Sequence, residues 1–285
     1  MKSAPLPNLQ HRIETHLRNW SVDVEHITET ETSILLFGHR RAQPVVVKVV
    51  RTPGDEWRSG PVLAAFDGPA VVHVYEYTDG AQLLERLTPG TPLVQMVLAG
   101  RDGDATDILA AVIGAMAPRR LPSAVPTALD WARGFDRYSR TGDAQIPQAL
   151  LAEARALYLQ LCHSQAQVRL LHGDLQHYNV LLDAQRGWLA IDPKGVIGEL
   201  EYEIGAALRN PSAQPALFAQ AAIVERRLKR FADQLPIDQD RALAWGFAQA
   251  VLSAVWTVED GVPLGPHNPG ILLAQAIRPM LGGLR

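Results

Sequence analysis

The sequence predicts an α+β fold in two unequal lobes. The first is a small lobe with a five-stranded antiparallel sheet and one main helix; the second is larger and mostly helical. Three observations predict this. Between Val22 and Leu87 the apolar residues come in short β-branched runs separated by turn formers, the pattern of strands. From Leu93 onward they recur at helical spacing. Between the two lies Thr88-Pro89-Gly90-Thr91-Pro92, whose two prolines and glycine continue neither pattern. The predicted division is residues 1–87, a linker at 88–92, and residues 93–285.

Each element has its own reason. Leu9, Ile13, Leu17 and Trp20 share one helical face, which predicts a helix from Asn8 to Trp20. VDVEHI (from Val22), SILLF (from Ser33) and PVVVKVV (from Pro44) read as three antiparallel strands. Thr52-Pro53-Gly54-Asp55 breaks the third and caps a helix that runs through Phe66, closed by Asp67-Gly68-Pro69. AVVHVYEY and AQLLERL, around Thr78-Asp79-Gly80, form a hairpin. In the second lobe, helices are predicted at Leu93–Ala99, Asp104–Ala117, Ala128–Tyr138 and Pro147–Gln165. After an interruption they resume at Glu203–Leu208, Ala216–Gln234, Asp238–Val258 and Pro269–Leu281.

Composition narrows the function. A chain that is 47% hydrophobic and 20% charged is an ordinary globular protein. Its net charge of −3 argues against nucleic acid as a partner and suits a cationic or polar small molecule. The single cysteine, Cys162, fits a reducing compartment. The start, MKSAPLPNLQHR, lacks the apolar core of a signal peptide, and no run is long enough to span a membrane. The expectation is a cytoplasmic protein that binds neither membrane nor nucleic acid.

The interruption is the most informative stretch. LLHGDLQHYNVLL (Leu170–Leu182) and the following WLAIDPKG pack His172, Asp174, Gln176, His177 and Asn179 between apolar runs, then place Asp192 at the end of another. This predicts a short strand, a polar loop, a hairpin and a metal-binding turn. His172-x-Asp174-x4-Asn179, with Asp192 thirteen residues later, is the catalytic set of eukaryotic-like kinases. Phosphoryl transfer demands positioning and charge neutralisation. Asp174 is then the group that accepts or orients the hydroxyl proton. Asn179 and Asp192 are hard oxygen ligands for Mg2+ bridging the phosphates of ATP. His172 holds the loop by hydrogen bonding.

Lys48 lies inside an apolar strand, where a lysine is costly unless paired. Its predicted task is contact with the nucleotide's α and β phosphates, and Glu56, on the next helix, is its natural ion-pair partner. LLERL, just before the linker, is the predicted hinge, with backbone groups around Glu85 and Leu87 meeting an adenine.

With LLHGDLQHYNVLL, RGWLAIDPKGVIGE and LLERLTPG in place, the chain resembles the aminoglycoside phosphotransferase branch of the protein-kinase-like fold. Within it, the resemblance is to the streptomycin 6-kinase (aminoglycoside/hydroxyurea resistance kinase) family, from about Thr30 to Asp260. The resemblance implies ATP-dependent transfer of phosphate to a hydroxyl of an aminocyclitol or similar molecule. It also places WTVEDG near the acceptor pocket.

The chain departs from protein kinases in three places. Residues 1–37 contain no glycine, and Thr30-Glu31-Thr32-Ser33 stands where the glycine-rich phosphate loop would be, with Thr32 and Ser33 offering hydroxyl and backbone donors. Gln176 replaces the lysine two residues after the catalytic Asp, and Pro193-Lys194 follow Asp192. For a cationic acceptor the candidate acids are Glu199, Glu201, Glu203, Glu259 and Asp260, with Glu199 and Asp260 first and Glu203 having bracing of the catalytic loop as its alternative role. Three rivals stay open: a kinase of a sugar or amino alcohol, a catalytically weak kinase-like binding protein, and a metal-dependent hydrolase using His172, Asp174, His177 and Asp192.

Overall fold

A computed structural model describes residues 8–66, 68–118, 121–122 and 125–283; Asp67 of the predicted turn and residues 1–7 lie outside these. Helix α1 (Leu9–Trp20) is capped by the Asn8 side chain, which accepts from the His11 N–H at 2.8 Å. Its inward face, Leu9, Ile13, Leu17 and Trp20, covers the sheet. Arg12, also buried, staples the helix in place by donating to the carbonyls of Val50 (2.8 Å) and Gly80 (3.0 Å).

The sheet has strands β1 (Val22–Glu29), β2 (Ser33–Arg40), β3 (Gln43–Val50), β4 (Val74–Thr78) and β5 (Ala81–Glu85), all antiparallel in the order β1-β2-β3-β5-β4. β3 is central, which explains why its sequence is a near-continuous apolar run. Val45, Val47 and Val49 are fully buried on one face, each contributing about 1.5–3 kcal/mol. Lys48 points the other way, into the cleft. Glu56 sits on a single 3-10 turn (Asp55–Arg58) that leads into α2 (Ser59–Phe66). Val62, Leu63 and Phe66 of α2 pack into the same core as the helices of the second lobe.

The predicted linker is shorter than the sequence suggests. Pro89–Pro92 is itself a strand, β6, paired with β8 (Val180–Asp183), which pairs in turn with β9 (Gly187–Ala190). Prolines are tolerated there because β6 is an edge strand. The crossing between lobes is therefore Arg86–Thr88. A second ribbon pairs β7 (Arg169–Leu171) with β10 (Val196–Gly198).

Helices α3 (Val94–Leu98), α4 (Asp102–Ala115), α5 (Ala128–Trp131), α6 (Arg133–Thr141) and α7 (Gln148–His163) precede this region; α8 (Leu200–Leu208), α9 (Ala221–Gln234), α10 (Gln239–Glu259) and α11 (Pro269–Ile277) follow it. The helix predicted over Ala128–Tyr138 is two, separated at Ala132. α10 is the axle of the lobe, buried almost all round from Ala242 to Val255 and packed against α7, α8 and α11. Among the described residues no helix is long and apolar enough to cross a membrane.

Candidate active site

The loop between β7 and β8 carries the polar residues, and neighbouring elements fix it. Gly173 adopts φ +82°, and a Cβ there would meet the Trp131 ring at 2.9 Å, so only glycine fits. Glu203, in the first turn of α8, accepts from the N–H groups of His172 (2.7 Å) and Gly173 (3.0 Å). Burial pushes its carboxyl up to about 7 against the pull of those donors.

His172 joins the loop to the turn after β9. It is buried, which lowers its pKa and keeps it neutral. Its Nε2–H donates to the Ile191 carbonyl (2.8 Å), and Nδ1 accepts from the Asp174 N–H (3.3 Å). Its own carbonyl accepts from the N–H groups of Lys194 (3.0 Å) and Gly195 (2.9 Å). Asn179 donates Nδ2 to the Asp174 carbonyl at 2.9 Å, which commits the amide nitrogen and leaves its oxygen as the outward group. Asp192 adopts φ +60°, a conformation that costs a non-glycine residue about 1–3 kcal/mol.

Lys48 pairs with Glu56, the partner expected from the sequence, and also with Asp192. The Lys48 ammonium, 6% exposed, lies 2.7 Å from Glu56 Oε2 and bonds Asp192 Oδ1 across the cleft. Burial alone would lower its pKa; Asp192 and then Glu56 override this and raise it. Thr32 Oγ1 also reaches Glu56, at 3.3 Å. A cavity of about 580 Å³ opens from this cluster to the interlobe crossing. Leu35, Val46 and Leu84 wall it from the sheet, Leu181 and Ile191 from below, a shape and polarity suited to a nucleotide.

Two residues lining this cleft have bonds of their own. The Ser33 N–H donates to Thr30 Oγ1 (2.9 Å), and its buried hydroxyl pairs with the same oxygen, while Thr32 and Ser33 both line the cavity. The Glu85 N–H donates to the His73 carbonyl (3.0 Å), and its carboxylate binds Arg186 and the His73 N–H, which ties the crossing to the β8–β9 turn. Leu87 lines the cavity mouth beside it.

Asn179 and Asp192 together offer an amide oxygen and a carboxylate. Among the described residues no group of three or more His, Cys, Asp or Glu side chains could hold a metal alone. An incomplete set of hard oxygens fits magnesium, which takes the rest of its octahedral shell from phosphate and water. His177 does not serve as a ligand in the hydrolase reading: it is fully buried beside Arg227 and Asp102, where burial pushes it down to about 3.

A second cavity, about 630 Å³, lies on the far side of the turn after β9. Asp55, Trp57 and Val62 line it from the first lobe, Trp131 and Lys194 from the second. Trp131 meets Trp256 edge to face (5.5 Å), and the Lys194 ammonium lies 5.6 Å over the Trp256 ring. Asp260 is close to Lys194; burial raises its pKa, Lys194 opposes this, and Asp55 and Glu259 add to it. Glu259 is held by Arg137 through two 2.8 Å bonds.

Glu199 is elsewhere. It is 4% exposed at the N-terminus of α8, paired with Arg241 and with the Trp245 indole N–H, so it braces helices and does not face an acceptor. Glu201 accepts from the Asp238 N–H. Sequence reasoning missed Arg209, whose Nη2 lies 3.3 Å from Asp174 Oδ1. Its signal is an arginine directly after the buried helix α8, where a cation requires a partner.

Comparison with known proteins gives a family and a fold. The model of the aminoglycoside/hydroxyurea antibiotic resistance kinase family matches residues 19–261. A streptomycin 3''-kinase from Klebsiella pneumoniae is 32% identical, over 81% of this chain and 86% of its own. A streptomycin 6-kinase from Streptomyces glaucescens is 27% identical, over 96% of this chain and 90% of its own. A thermostable mutant of aminoglycoside phosphotransferase APH(4)-Ia, solved with ADP and hygromycin B, superposes with a TM-score of 0.61 at 14% identity, covering 94% of this chain and 97% of that one. At that identity the likeness is one of fold.

Proposed function

The chain belongs to the aminoglycoside/hydroxyurea antibiotic resistance kinase family, and we propose that it transfers the γ-phosphoryl group of ATP to a hydroxyl of an aminoglycoside, streptomycin first. The observation that carries this reading is the buried Lys48 ammonium, held between Glu56 and Asp192 at the deep end of the interlobe cleft. A cation so placed neutralises phosphate oxygens, and the two carboxylates keep it charged and in position.

Asp174 orients the acceptor hydroxyl and takes its proton, as a carboxylate within hydrogen-bond reach can. Asn179 and Asp192 hold magnesium, which when bound neutralises charge on the nucleotide phosphates. His172 and Glu203 keep the catalytic loop and the metal turn in register. The apolar walls contributed by Leu35, Val46 and Ile191 sandwich the adenine, whose edge meets backbone groups around Leu87, the Glu85 N–H being taken by the His73 carbonyl. Thr32 steadies Glu56. On the acceptor side, Asp260 and, behind it, Glu259 attract a cationic substrate towards Trp131. The reaction belongs in the cytosol, where ATP is available and Cys162 stays reduced.

The test is ATP consumption by the purified chain with streptomycin, other aminoglycosides, hydroxyurea, amino alcohols and sugars, followed by locating the phosphate by NMR. Turnover is expected to be fastest with streptomycin, and the phosphorylated hydroxyl distinguishes the 3''-position from the 6-position. Tight streptomycin binding with no ATP consumed would overturn the reading in favour of a binding protein.

A further inference from the structure

We propose that Arg209 is a positioning residue for the catalytic carboxylate, set by a buried relay that begins at Gly205. This rests on Asp174 acting as the proton acceptor. The relay is visible link by link. A Cβ on Gly205, in the middle of α8, would meet the Gln249 amide oxygen at 2.4 Å, so the missing side chain makes room for that amide. Gln249 is 5% exposed, a polar group in an otherwise apolar stretch of α10, and it donates Nε2 to the Tyr202 carbonyl at 2.6 Å. That bond turns Oε1 towards Arg209, whose Nη1 donates to it at 3.4 Å. Nη2 of the same guanidinium then donates to Asp174 Oδ1 at 3.3 Å.

A buried amide, a buried guanidinium and a half-buried carboxylate in line are expensive to assemble without a purpose. Arginine suits the task because its planar fork fixes two partners at a set angle. With Oδ1 engaged by Arg209, Oδ2 is left to receive the acceptor hydroxyl. Arg209 touches the reaction only through Asp174.

The experiment measures streptomycin phosphorylation by the full chain and its variants. Arg209→Met is expected to lower kcat on the order of 10²-fold, the effect of misplacing a catalytic group by about an ångström, with KM for ATP unchanged. Arg209→Lys recovers part of the loss. With Asp174→Asn already present, Arg209→Met is expected to change residual turnover by less than about twofold, because its route is gone. An equal proportional loss in both backgrounds overturns the proposal. So does a raised KM for streptomycin at unchanged kcat, which would make Arg209 an acceptor contact.

Gln249→Leu reads the same relay should Arg209→Met fold poorly. It is expected to lower kcat about 3- to 10-fold, again with no effect beside Asp174→Asn, and an unchanged kcat overturns the relay. The unsubstituted chain is assayed in parallel. No streptomycin turnover there overturns the kinase reading itself, whereas normal turnover with an insensitive Arg209→Met overturns only this inference.

Discussion

On the Lys48 side of the turn after β9, the charges are buried and committed: Lys48 to Glu56 and Asp192, with Thr32 bonding Glu56 in turn. On the other side, Lys194 lines a cavity with Trp57 and Trp131 and has Asp260 near it, and Glu259 is tied to an arginine that is half exposed. The first arrangement has one solution, because a buried charge without its partner is strongly penalised. The second tolerates substitution, because water screens what the protein leaves unpaired. A phosphate donor common to many reactions and an acceptor that differs among relatives would produce such a contrast.

The sharpest way to break that contrast is at its boundary. Asp192→Ala and Asp174→Ala are each expected to lower kcat by about 10²- to 10⁴-fold while the fold survives, as circular dichroism and melting would show. Near-normal turnover in either variant would remove the site. Lys48→Met should raise KM for ATP and also lower stability by about 2–3 kcal/mol in urea denaturation, since it strands two carboxylates in a cleft. Loss of activity with no loss of stability would mean the cluster is not the rigid side.

Glu203 tests rigidity through pH. Its folded pKa, raised to about 7, exceeds the ordinary value of 4.5, so the folded chain holds a proton there that the unfolded chain releases. Its stabilising contribution is complete below about 4.5 and declines as pH rises towards 7. The unfolding free energy of the native chain, relative to Glu203→Gln, should therefore fall by roughly 2–3 kcal/mol across that window. A constant difference would show that Glu203 is ionised throughout. The smallest effect is expected on the acceptor side. Asp260→Asn should raise KM for streptomycin about 3- to 10-fold at constant KM for ATP, and Glu259→Gln less, its ion pair being largely solvated. Equal effects on both substrates would erase the contrast.

The same division governs what could be read from sequence. The His172–Asp192 spacing is local, and a lysine inside PVVVKVV demands a partner, so the nucleotide side was legible down to the Lys48–Glu56 pair. β3 was legible as a strand from its apolar run, but its central position shows only in its pairing with β2 and β5. Pro89–Pro92 was not legible as a strand, because its pairing with Leu181–Asp183 lies about ninety residues away and its composition is that of a linker. Glu199 looked like Asp260 in sequence, an acid beside a functional segment; only the packing of Arg241 and Trp245 around it shows that it is buried between helices. Arg209 escaped because Asp174 and Gln249, its partners, are 35 and 40 residues distant.

The packing of α2 has a consequence for engineering. Because Val62, Leu63 and Phe66 are buried in the second lobe's core, a cut at Arg86–Thr88 would leave each fragment with a raw apolar face. Split-protein reporters usually divide a chain at its slimmest crossing, and here that cut would yield two aggregating halves. A circular permutant that opens an exposed turn such as Gly142 and preserves the 59–66 contact is the sounder route to a switchable version.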